Sequence, residues 1–447
     1  MTSTVRRAGA FAGVGSLALA APLLGRAAAL PFVVVAGVAA FVADDGPVFE
    51  LFARPGDWEE GRLYSLIGFA LAATGLGLLT AVEAVPTLAF VGGVLALAYG
   101  NFGAQLARRR WPDPIVGAAG FTVGGTVGGA AGILGAAALA GDATPPLPLV
   151  VFLSVSGALL GALLRSVLFE RDDPLVLLSV GLLLWFLWEL TDPVTAAEIG
   201  VALAVTLAVG YASYALDTAS VSGMLSGVFL GLLTIVLGGI GWFAVIIAFF
   251  GIGGLSTKFR YEEKEDRGVA EENEGARGSA NVFSNAAVAL AAVLAYAAAP
   301  MGLPAGDGVR VSGALFLYAF AGSISTAMSD TLSSEIGGVF DRPRLITTLQ
   351  PVEPGTDGGV TWQGEIAGVT GAAIIALIAV ALFDTVGSTG GGVILAAGVA
   401  GMTVDSLLGA TVEGGRLGNQ SVNFLATLSG AVVGALLALA VGLPVLA

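Results

Sequence analysis

Residues 219–257 read ASVSGMLSGVFLGLLTIVLGGIGWFAVIIAFFGIGGLST. Two apolar runs, 219–237 and 239–255, meet at Gly238 without a single charged side chain. Each is close to the roughly 20 residues a helix needs to cross the hydrocarbon core of a bilayer. Lys258 and Arg260 then close the pair, as basic residues do at a membrane border. The stretch predicts two antiparallel spanning helices joined by a tight turn.

Working outward, further apolar segments fall at 8–25, 27–43, 63–82, 84–106, 115–141, 147–169, 174–191 and 196–216 before it. After it come 281–299, 309–329, 364–383, 388–412 and 421–446. The expectation is an all-α, polytopic transmembrane bundle of about fifteen spans. The composition agrees: 447 residues, 56% hydrophobic and only 12% charged, with mean hydropathy +0.90. A soluble domain carries about 25% charge. The ten-residue alternation of a membrane β-barrel is absent. The glycine-rich stretch Gly117–Gly135 predicts close helix–helix approach.

With the N-terminus placed in the cytoplasm, loops 44–62, 107–114, 170–173, 256–280, 330–363 and 413–420 fall inside. Together with Arg6, Arg7 and Arg165 they hold every basic residue except Arg26 and Arg310, 17 of 19. That asymmetry is the positive-inside pattern and predicts a multi-pass protein of the cell membrane. Arg108-Arg109-Arg110 reads as a topology signal. Two polar loops, 256–280 and 330–363, stand out on the cytoplasmic side. The chain divides by this reading into an N-terminal multi-span module, 1–214, and a second membrane domain, 215–447.

Cysteine and histidine are both absent, which excludes disulfides, thiolate zinc sites and any His-based triad. A net charge of −14 argues against nucleic acid as a partner. Many acids with only two lysines, Lys258 and Lys264, suit a salt-rich cytoplasm. Chemistry must come from carboxylates, amides, hydroxyls and Arg or Lys. Asp330 and Glu335 lie five apart at a helix–loop boundary. Asp405 lies inside a span, where an ionisable group is a functional hypothesis by default. Asp357 sits in PGTDGG, 354–359, where Gly355, Thr356, Gly358 and Gly359 permit a tight turn with inward N–H groups able to hold phosphate oxygens. Asp330, Glu335, Asp357 and Asp405 could hold one or two Mg²⁺ ions as catalytic and metal residues, since Mg²⁺ favours carboxylates with substrate phosphates. Lys258, Arg277 and Arg344 could neutralise phosphates. Asn281, Asn285, Asn419 and Asn423 place amides at the beginnings of spans, where helix N-termini favour anions. The bland readings are a helix-end Asp330, a structural hydrogen bond or transport site at Asp405, a surface turn at 355–359, a border-marking Lys258 and a solvated charge run at 262–274. No Walker phosphate loop and no protein-kinase signature occurs.

Residues 215–447 resemble the integral membrane family designated domain of unknown function 92. The carrying stretches are SVSGMLSGVFLG (220–231), GGIGWFAVIIAFF (238–250), LSTKF (255–259), ARGSANVFSN (276–285), SDTLSSEIG (329–337), PRLITT (343–348, ending in Thr348), PGTDGGVTWQG (354–364), VDSLLGATVE (404–413) and NQSVNFLATL (419–428). Their order and spacing are specific. The family usually has Gln-Val-x-Ala-Asn where this chain has 281–285, and often Asn-Asp where it has Asn419-Gln420, so a metal role at that position is reduced or shifted here. The family includes plant phytyl-phosphate kinase. The resemblance therefore implies a lipid kinase: a nucleoside triphosphate, with CTP favoured in the wider phytol and dolichol kinase group, would donate a phosphoryl group to an isoprenoid phosphate or alcohol. In that reading Thr348 and the 355–359 turn join the basic and amide residues in binding substrate or nucleotide. The alternative is a transporter or flippase for a lipid phosphate or anion; a third is a non-catalytic scaffold. YGNFGAQLARRRW (99–111) with GFTVGGTVGG (120–129) faintly resembles the phytol and dolichol kinase pattern, with Asn101 and Phe121 replacing its acid and its lysine. A decayed copy or a coincidence in a glycine-rich span are both open.

Overall fold

A computed structural model describes residues 4–169, 172–191, 193–266, 277–302, 304–306 and 309–446. The chain forms two compact units, Met1–Ala204 and Val205–Ala447. The division falls within the helix Ala196–Ala215, ten residues before the boundary drawn at 214/215. Among the described residues the only strands are four pieces of two or three residues; in lipid, a helix is what satisfies every backbone N–H and C=O within one segment.

Thirteen helices among the described residues are long and apolar enough to span a membrane, or fourteen counting one bent pair. The expectation of about fifteen differs at two places. Segment 27–43 is Leu30–Phe41, too short to span alone, which bends by 111° into Gly46–Phe52. Segment 309–329 is the helix Gly313–Gly337, which the serines, threonines, Asp330 and Glu335 of its second half keep out of the thirteen.

In the first unit the helices Thr87–Arg110 and Pro114–Ala140 meet along a glycine seam. A Cβ at Gly103 would stand 2.3 Å from the Gly120 carbonyl oxygen, and one at Gly124 2.5 Å from that of Tyr99. Phe121, 3% exposed, fills the space beside Gly100 and Gly161. Phe121 is thus a packing wedge. Asp173 anchors a buried network, accepting from Arg54 at 2.6 Å and facing Arg165 at 3.3 Å.

The second unit is built around Gly313–Gly337. This helix is buried from Leu317 to Glu335 along most of its faces. Glycines of Trp362–Leu382, Ser388–Thr411 and Asn419–Ala440 let three neighbours approach it. A Cβ at Gly322 would lie 2.5 Å from the Gly430 oxygen, and one at Gly401 2.1 Å from Thr326 Oγ1. Two of its buried hydroxyls find backbone acceptors, Ser329 Oγ donating to the Gly368 carbonyl at 2.8 Å and Thr326 Oγ1 to that of Gly322 at 2.9 Å. Trp242, its ring tilted against those of Tyr296 and Phe320, closes the other side with Val245, Ile246 and Phe249.

Candidate functional site

At one end of the second unit, helix ends and one loop enclose a cavity of about 390 Å³. Helix Gly313–Gly337 contributes Asp330, Thr331, Ser333, Ser334 and Glu335. Helix Ser388–Thr411 contributes Asp405, Ser406 and Gly409. Asn281 and Asn285 come from the first turns of Ser279–Ala298, and Asn419 and Asn423 from those of Asn419–Ala440. The loop 338–361 supplies Gly355, Thr356, Asp357, Gly358, Gly359 and Thr361. The four singled-out carboxylates and four singled-out amides, up to 142 residues apart in sequence (281 to 423), therefore line one space.

Asp330 and Asp405 face each other from two helices, each carboxylate within reach of the other's charge. Asp405 Oδ1 is buried and has no hydrogen-bond partner, and neither has Asn281 Oδ1. Two facing carboxylates cannot both stay charged without a proton or a cation between them. Glu413, just beyond the end of Ser388–Thr411, adds negative charge beside Asp357 and Asp405; burial first, and then these two neighbours, push its carboxyl above the ordinary value of 4.5. Among the described residues no three acidic side chains converge closely enough to make a metal shell by themselves. The Asp330–Asp405 pair with its unpartnered oxygen nevertheless fits Mg²⁺, which takes one or two carboxylates and completes its octahedron with water and substrate phosphates. Glu335 is engaged otherwise, as the partner of Lys264, and Asp357 is exposed at the rim.

The loop is fixed by backbone bonds. Arg344-Leu345 pairs with Gly359-Val360, and the Ile346 N–H donates to the Gly358 carbonyl at 3.0 Å. Gly358 has φ +72°, and a Cβ there would stand 2.4 Å from the Ala410 nitrogen, so only glycine brings the loop this close to Ser388–Thr411. Of the expected nest, the Thr356 N–H goes to the Glu353 carbonyl and the Gly359 N–H to that of Thr356, at 3.2 and 2.9 Å. Those two N–H groups close turns.

The cations are distributed differently from the expectation. Arg277 lines the cavity. Lys258 does not: it is the exposed C-cap of Ile240–Thr257. Arg344 is exposed and donates to the Leu349 carbonyl at 2.7 Å, and Thr348 is exposed beside it; neither reaches the cavity. Lys264 takes their place. It lies on the short helix Tyr261–Asp266, is 2% exposed, donates to the Thr257 carbonyl at 2.6 Å and forms a buried ion pair with Glu335. The reading of 262–274 as a solvated run fails at this residue; 267–276 lie outside the described residues. Lys264 and Glu413 are the groups that sequence reasoning missed. Glu413 stands two residues past the end of the helix that carries Asp405, in the turn that brings it back to the cavity rim. Lys264 is one of two lysines in a chain that otherwise uses arginine. Gln420 is exposed and outside the cavity.

Residues 204–431 match the family described as integral membrane protein DUF92, a span that begins one residue before the second unit does. An uncharacterized membrane protein of Methanocaldococcus jannaschii is 33% identical over 221 residues, 48% of this chain and 84% of that one. An uncharacterized membrane protein of Synechocystis is 34% identical over 209 residues, 44% of this chain and 75% of its own length. The chloroplastic protein VTE6 of Arabidopsis thaliana is 32% identical over 228 residues, 49% of this chain and 65% of that protein. No solved structure matches.

Proposed function

We propose, for a chain that belongs to the DUF92 family of integral membrane proteins, that it is a cell-membrane lipid kinase. It transfers the terminal phosphoryl group of a nucleoside triphosphate, CTP on the resemblance, to an isoprenoid phosphate or isoprenoid alcohol. One observation carries the reading: a polar cavity at the end of a membrane bundle joins the facing pair Asp330–Asp405 to Arg277, Lys264 and four asparagines. Phosphoryl transfer asks for positioning and charge neutralisation rather than for a histidine or cysteine. Mg²⁺, when bound, would supply positive charge against the phosphates; Asp330 and Asp405 are the residues that would hold it. Arg277 would grip the acceptor phosphate and Lys264 the donor phosphates. An oxygen of the acceptor attacks the terminal phosphorus, the bond to the bridging oxygen breaks, and a nucleoside diphosphate leaves. A phosphate acceptor is already nucleophilic; an alcohol would give its proton to a carboxylate of the pair.

A transporter of a lipid phosphate would use the same groups but needs them reachable from both faces, whereas the lining comes from one end of the helices. The test is transfer of labelled phosphate from CTP or ATP to geranylgeranyl phosphate or geranylgeraniol by purified protein in detergent, with Mg²⁺ and high salt. Asp330→Asn and Asp405→Asn should each lose at least about 100-fold in turnover while remaining folded. Absence of product from folded wild type, or undiminished product from both variants, would refute the proposal.

A further inference from the structure

A second, smaller cavity of about 80 Å³ adjoins the polar one. It is enclosed by the last turns of Ala196–Ala215, the first turns of Val221–Gly238 and the face of Ile240–Thr257 that carries Phe243, Ile246, Ile247 and Phe250. Met224 and Val282 complete an apolar wall. The two cavities share one charged residue, Arg277. Its backbone is pinned on both sides, its N–H donating to the Thr218 carbonyl at 3.0 Å and its carbonyl accepting from the Ser220 N–H at 3.1 Å. Its guanidinium lies over the Phe249 ring, 5.5 Å from the centroid. The cation is therefore stationed where carboxylates and amides give way to hydrocarbon.

We propose that the small cavity receives the first segment of a single-chain lipid whose phosphate is bound by Arg277 in the polar cavity. The occupant is a long-chain monophosphate in which hydrocarbon begins at the phosphate ester itself, as in a polyprenyl phosphate. Three features define this class. The guanidinium complements a phosphate. Past Arg277 the wall is apolar apart from Thr206, Ser213 and Thr218, and the last two hydroxyls donate to the Val209 and Ser213 carbonyls at 3.0 and 2.9 Å. The volume of about 80 Å³ corresponds to about five to eight water-sized probes at 10–15 Å³ each, room for the start of one chain. The inference rests on the kinase reading only for the fate of the lipid, not for its binding.

Glycines supply the test. A Cβ at Gly227 or Gly254, which line the cavity, meets nothing within 4 Å, and the same holds at Gly251 on the turn before Gly254, which is exposed and outside it. Leucine at the first two sites fills the groove without displacing backbone, and leucine at the third is the matched control. The probe is a prenyl monophosphate carrying a diazirine on its first five-carbon unit, photolysed with full-length protein in detergent and mapped by peptide mass. Wild type should be labelled within 206–227 and 243–254. Gly227→Leu and Gly254→Leu should reduce labelling at least about tenfold, from the hydrocarbon burial they deny, while Gly251→Leu retains it. Label confined to 362–440, or undiminished in both groove variants, would overturn the proposal. Groove labelling without phosphoryl transfer would sink the kinase and leave the groove; transfer with label elsewhere would do the reverse.

Discussion

The ion pair between Lys264 and Glu335 permits a quantitative test of how the cavity is held together. Lys264 is 2% exposed and Glu335 8%, and the ammonium also donates to the Thr257 carbonyl at 2.6 Å. Lys264→Met keeps the stem and removes the charge, leaving Glu335 facing Asp330 without a counterion. Breaking a fully buried pair from one side costs about 3–5 kcal/mol. Here both partners border a cavity large enough to hold water, so we expect about 1–3 kcal/mol, with a similar loss in Glu335→Gln. The double variant removes both charges and should recover much of the loss, giving a coupling of about 1–3 kcal/mol. At roughly 2–4 °C per kcal/mol for a unit of this size, thermal unfolding in detergent followed by fluorescence resolves the cycle. If the double variant is destabilised by the sum of the single ones, the residues do not interact and the buried pair is refuted.

Three further outcomes follow from the geometry. Glu413 has a raised carboxyl pKa, so the folded state holds its proton more tightly than the unfolded chain does. Its contribution is present below the ordinary value of 4.5 and is lost as pH rises through the raised value; Glu413→Gln should stabilise the protein at neutral pH and converge with wild type in acid, as read by unfolding midpoints against pH. Gly358→Ala forces a side chain into a left-handed turn 2.4 Å from the Ala410 nitrogen; it should cost about 1–3 kcal/mol and lower kcat for phosphoryl transfer, with limited proteolysis of 343–361 reporting the loosened loop. Phe121→Ala in the first unit should destabilise by about 3–5 kcal/mol through the void it leaves between Gly100 and Gly161, whereas a phosphate-binding residue would show its loss in turnover at unchanged melting temperature.

The spans were legible because each is a long apolar run with little or no charge, as at 219–255, where no alternative to a helix satisfies the backbone in lipid. Gly313–Gly337 was legible as a helix but not as the centre of the unit: its serines and threonines look like a weak span until the glycines of three later helices are seen to enclose them. Asp330 and Asp405 could be named from their placement at and within apolar segments, but their meeting depends on the packing of two helices that no local pattern encodes. Lys258, Arg344 and Lys264 show the limit most clearly. All three sit in polar loops with nothing local to separate them. The direction of each loop, rather than its composition, turns Lys264 inward, leaves Lys258 capping a helix and ties Arg344 to the Leu349 carbonyl.

The enclosure of Gly313–Gly337 has a consequence for how the protein is made. A helix with this many hydroxyls and two acids partitions poorly into hydrocarbon by itself. The helices whose glycines accept it, Trp362–Leu382, Ser388–Thr411 and Asn419–Ala440, all follow it in the chain. During synthesis it must wait at the insertion machinery, or in water at the membrane surface, until they arrive. A ribosome stalled before residue 440 would leave it without its full lining, exposed to quality-control proteases. The lining of Gly313–Gly337 is thus completed by Asn419–Ala440, and the carboxylate pair can come together only after Ser388–Thr411 has been made.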